Sequence, residues 1–135
     1  MRAIPSIDQA EAHRLLDRGL ELARSDGGKP VVIALTDHAG DLMAFSRMDG
    51  APVRSIRLAI NKAYTAARVL ATTQDLAARL REAGRDVLVY TDPAFTLFPG
   101  GTPVWHGGPV IGAVGISGRS AEDDQGLADR IAAAL

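Results

Sequence analysis

The chain has no cysteine, which removes disulfides, thiolate metal sites and a cysteine nucleophile from consideration. Aromatic residues are scarce, at 4% of 135 positions, so Ala, Val, Ile and Leu must build the core. Charge of one sign is missing as well. Fifteen basic against 16 acidic residues leave a formal net charge of −1, with the basic ones scattered among the acidic. A phosphate backbone demands a concentrated positive field, so nucleic acid is not an expected partner. No apolar run approaches the roughly 20 residues that span a bilayer, and no membrane partner is expected either. The N-terminal residues turn polar within a few positions, unlike a signal peptide. Together with the absent cysteine this sets a cytoplasmic expectation. What is present is ordinary globular usage, 47% apolar and 23% charged, at a length that suits one domain over residues 1–135.

Periodicity divides the chain into helices and hairpins. Ser6 with Gln9 reads as a capping box, and Ala12, Leu15, Leu16, Gly19, Leu20 and Ala23 recur at helical spacing, predicting a helix over residues 7–25. The β-branched run 29–36 and the stretch 41–48 flank an Asp-His-Ala-Gly turn and read as a β-hairpin. Pro52 suits a helix start, and Ile56, Ala59, Ile60, Ala63, Ala67 and Leu70 predict a second helix over 52–70. A third helix is expected over 73–83, stopped by Gly84, whereas 85–99 is broken by prolines and Val87–Tyr90 reads as strand or irregular chain. Segments 102–106 and 109–117 form a second hairpin across Gly107 and Gly108. Ser120 with Asp123 caps a closing helix carrying Leu127, Ile131 and Leu135. Strands that arrive as hairpins predict an α/β chain of the α+β type, an antiparallel sheet with helices packed on it.

Three constellations carry polar chemistry. The first hairpin gathers Asp37, His38, Asp41, Arg47 and Asp49, a set that suits binding a carboxylate or orienting an acid/base group. The plainer reading makes Asp37 and Gly40 turn formers and pairs Arg47 with Asp49 or a helix end. On the second helix, Lys62 sits at the edge of the apolar stripe. A lysine there needs a carboxylate partner or an anionic ligand, unless its stem lies along the surface and its ammonium reaches water. The glycine-dense segment 98–118 lacks the order of a phosphate loop, and Glu122, Asp123 and Asp124 would repel phosphate from the next helix. Its strand glycines instead mark places where a helix, a subunit or a flat ligand approaches the backbone. His13, His38 and His106 form no metal-binding spacing.

Five segments in order resemble the GlcG/HbpS-like haem-binding family, which includes the C-terminal domain of PduO-type corrinoid proteins. They are VVIALTDxAG (31–40), FSRMDGA (45–51), AINKAYTA (59–66), PGGTPV (99–104) and VIGAVGISGRSAEDD (110–124), covering nearly the whole chain. The resemblance implies a profilin-like antiparallel sheet with helices packed on it, and assembly into homo-oligomers. It implies haem binding or degradation in some members and a corrinoid connection in others, with further members encoded beside small-acid catabolic enzymes. The ligand-facing positions it implies here are Asp37, Arg47, Asp49, Lys62, Gly100, Gly101 and Asp124. A haem would need an apolar slot, cations for its propionates and an axial ligand. Residues 110–116 with Met43, Phe45 and Met48 offer the slot, Arg47 and Lys62 the cations, and His13 heads the axial candidates because it flanks the first helix's stripe. No motif fixes that ligand. The alternative is an enzyme for a small carboxylate or carbonyl compound, with Arg47 as clamp, Lys62 as charge stabiliser and Asp37 or Asp49 moving a proton.

Overall fold

The computed structural model describes residues 1–135. In chain order it contains α1 (Gln9–Ser25), β1 (Val32–Asp37), β2 (Leu42–Arg47), α2 (Arg54–Val69), α3 (Thr73–Ala83), a 3-10 turn (Val87–Tyr90), β3 (Gly101–Trp105), β4 (Val110–Ser117) and α4 (Ala121–Ala132). The four strands form one antiparallel sheet in the order β2-β1-β4-β3. Each hairpin keeps its own pair, and β1 against β4 joins them. This is the α+β arrangement that the order of elements predicts. No helix is long and apolar enough to cross a membrane.

Strand alternation gives each face of the sheet its own core. Ile33 and Leu35 of β1 join Leu15 and Leu16 of α1 and Leu127 and Ile131 of α4 on one side. Val32 and Ala34 meet Ala59, Ala63, Ala66 and Ala67 of α2 on the other. The second layer is thin because α2 presents alanines, and Gly115 makes it thinner. A Cβ there would collide with the carbonyl oxygen of Ala59. The glycine-spaced strand is therefore a seat for this chain's own helix, one of the three kinds of neighbour that its spacing allows.

Four local expectations need correction. Asp8, not Ser6, caps α1, with its carboxylate accepting from Glu11 N and Glu11 reaching back to Asp8 N. Ser6 instead accepts from His38 N across 32 residues. The last helix ends at Ala132, leaving Leu135 exposed rather than on its stripe. Leu70 is likewise exposed, in the left-handed conformation that closes α2. The haem slot expected from β4, Met43, Phe45 and Met48 is filled: β4 is covered on both faces, Met43 and Met48 pack with the α1 core, and Phe45 packs with α2.

Candidate functional site

The second helix delivers Lys62 into the interior, where only 3% of it is exposed. Its ammonium donates to Ile116 O at 2.8 Å and to Asp124 Oδ2 at 3.3 Å. Asp124, also 3% exposed, sits in the first turn of α4, and its other oxygen accepts from Arg119 N at 3.0 Å. Burial pushes the lysine below its ordinary value, with the Asp124 charge opposing. It pushes the Asp124 carboxyl up, with Lys62 opposing. Desolvation wins on both members, so the free energies of the charged and neutral pair are drawn together.

The 99–101 turn wraps this pair. Gly100 has φ +128°, and a Cβ there would lie 3.0 Å from Lys62 Nζ and 2.5 Å from Ile116 O. Gly101 presses on the Lys62 carbonyl so closely that a Cβ would overlap it. Gly100 N donates to Gln125 Oε1 at 2.8 Å and Gly101 N to Thr73 Oγ1 at 3.0 Å. The structure thus brings Lys62, Gly100, Gly101 and Asp124 together. Beside them lies a pocket of about 320 Å³ whose lining includes Arg54, Ser55, Lys62, Phe98, Ser117 and Asp124. Ser117 donates to Ser55 at 3.1 Å within it.

The other expected residues lie elsewhere. Asp37 Oδ1 accepts from Ala39 N and Asp41 N, which is the turn-forming role. Arg47 ends edge strand β2, Asp49 lies in the turn after it, and both are exposed with no ion pair between them. His13 is exposed on α1, which packs on β1, β2 and α4, across the sheet from α2. His38 and His106 occupy two different turns.

Sequence reasoning missed a second feature. The segment after α3 folds back over it and leaves an apolar groove of about 580 Å³. Ala77, Leu80, Val87, Phe95, Leu97 and Phe98 line it, joined by Thr96 and by Arg81 and Arg85. Neither arginine has a carboxylate partner. The segment is anchored by Tyr64, which donates to Asp92 Oδ2 at 2.5 Å, and by Thr96 N donating to Thr65 Oγ1 at 3.0 Å. Phe95 lies 5.0 Å from the Tyr90 ring and 5.8 Å from Tyr64. Three aromatic or aliphatic residues within 95–98 and two arginines at 81 and 85 were the available signal. A third hollow, about 650 Å³, is bordered by Asp26, Arg119, Glu122, Asp123 and Arg130. There Arg119 is spent on Asp26 at 2.6 Å and on backbone carbonyls.

Comparison with known proteins agrees with this architecture. GlcG of Escherichia coli is 35% identical over 111 residues, 82% of this chain and 81% of GlcG. The crystal structure of a double mutant of Streptomyces reticuli HbpS superimposes with TM-score 0.89 at 30% identity, covering 100% of this chain and 90% of that one. A crystal structure of a PduOC:heme complex superimposes with TM-score 0.84 at 29% identity, covering 96% of this chain and 95% of that one. The family described as haem degrading protein HbpS-like matches residues 7–133. This chain belongs to the HbpS-like family.

Proposed function

We propose that this chain binds haem or a closely related tetrapyrrole in the groove between α3 and the 87–98 segment. The observation that carries the reading is the combination of a largely apolar wall with two unpaired arginines, Arg81 and Arg85. A haem presents a flat apolar disc with two carboxylates at one edge, so the charges complement. The volume lies inside the usual range of ligand sites, about 300–1,000 Å³. Likeness to a haem complex along almost the whole chain supports the same reading. Tyr90, whose ring lies tilted against that of Phe95, is the neighbouring side chain of a type that ligates haem iron. His13 lies across the sheet and reaches this groove only from another copy. Lys62 is committed to Asp124 and leaves the propionates to the two arginines. Bound haem would supply an iron centre; the protein supplies the slot and the charges.

Haemin titration followed at the Soret band tests this. Wild type is expected to saturate with a Kd of about 1 μM or tighter. Replacing both arginines with glutamate should weaken it by about tenfold or more, as loss of charge-assisted hydrogen bonds dictates. Tyr90→Phe should change the spectrum, and His13→Ala should leave it unchanged. A flat wild-type titration rejects haem, and an unaffected double-arginine variant rejects this groove.

A further inference from the structure

The pocket beside Lys62 is too small and too polar for a tetrapyrrole, yet it is built around buried chemistry. Its volume of about 320 Å³ equals roughly ten waters at 30 Å³ each. Ser55, Lys62, Ser117 and Asp124 are each at least nine-tenths buried. In the Ser55–Ser117 pair one hydroxyl proton bridges the two oxygens. The other hydroxyl is left without an acceptor, a buried donor beside an open space. Lys62 has two acceptors for three N–H bonds. At the rim Arg54 is exposed and free of any carboxylate.

We propose that this pocket takes a small oxo acid, with Arg54 and the serine hydroxyls on its carboxylate and Lys62 Nζ adding to its aldehyde or ketone carbon. Asp124 accepts a proton from the Lys62 ammonium. The amine lone pair then forms the C–N bond while the carbonyl π pair moves to oxygen, which takes back the proton held by Asp124 and, on leaving, one of the two protons still on nitrogen. Loss of that oxygen as water leaves a C=N bond, so one water is released and no oxidant or reductant is consumed. Hydrolysis reverses the step. Burial supports the proton transfer, because it disfavours both charges of the Lys62–Asp124 pair.

The composition offers an internal control: the chain has two lysines, Lys29 exposed and Lys62 buried. Burial alone makes Lys62 the slower of the two to react. The experiment incubates the full chain with glyoxylate, the smallest oxo acid, and cyanoborohydride, then maps the trapped carboxymethyl group by peptide mass spectrometry. Expected is labelling of Lys62 ahead of Lys29, and slower labelling of Lys62 by propanal, which lacks the carboxylate. Arg54→Ala, a surface change that spares the core, should slow glyoxylate labelling at Lys62 about tenfold without changing that by propanal. Label confined to Lys29 and the N-terminus overturns the proposal. Equal rates for glyoxylate and propanal at Lys62 overturn the oxo-acid assignment. No haem is present in the assay, so its outcome is independent of the groove.

Discussion

At the scale of single residues, the Lys62–Asp124 pair is where sequence and structure meet most informatively. A lysine at the edge of an apolar stripe predicts a carboxylate or an anion near it, and Asp124 is that carboxylate. Its identity was hidden because the two lie 62 positions apart and meet only through packing of α2 and α4 on β4. Removing one member strands the other. Asp124→Asn leaves the ammonium buried without its counter-charge, an expected loss of about 3–5 kcal/mol in denaturant unfolding at neutral pH. Replacing both, Lys62→Met with Asp124→Leu, should recover most of that loss. The pH dependence has a definite sign. Lys62 is lowered in the folded state, so between that value and the ordinary 10.5 the unfolded chain holds more protons. Stability of Asp124→Asn therefore rises as pH climbs through that window. A flat profile there would mean that Lys62 is not buried as described.

At the scale of elements, local chemistry was legible where it is local. Both hairpins follow from turn residues and β-branched runs, and Ser120 caps α4 by accepting from Asp123 N as its spacing predicts. The start of α1 shows the limit. Ser6-Gln9 and Asp8-Glu11 both fit a capping pattern, and pairing of Ile7 N with Ile111 O pins residue 7 at the sheet and leaves Asp8 to begin the helix. Asp8→Ala should thus cost about 1 kcal/mol in chemical denaturation. Ser6→Ala, which loses one exposed bond to His38 N, should cost distinctly less. The reverse order would make Ser6 the cap. The groove segment was illegible for a different reason. No periodicity orders 84–98; Tyr64, Thr65 and the edge-on packing of Phe95 against Tyr64 do, and all are tertiary contacts.

At the scale of the molecule, apolar surface is unevenly spent. Leu88 is 76% exposed, Val89 51% and Phe98 64%, all beside the groove, while β1 and β4 are almost wholly covered. Consecutive exposed aliphatics next to an apolar groove mark a surface that is costly to leave in water. Self-association through this side is the expected outcome, with light scattering giving a mass above the 14.2 kDa of one chain. Leu88→Asp combined with Val89→Asp should return it to that mass without unfolding it, because neither side chain belongs to the core. The same variant separates two ways of holding haem. Arg81, Arg85 and Phe95 all come from one protomer, with Tyr90 packed against Phe95, so the single chain should still titrate with haemin and keep its spectrum. Loss of the spectrum on dissociation would instead assign the axial ligand to a neighbouring copy, with His13, exposed on the far side of the sheet, as the first residue to replace.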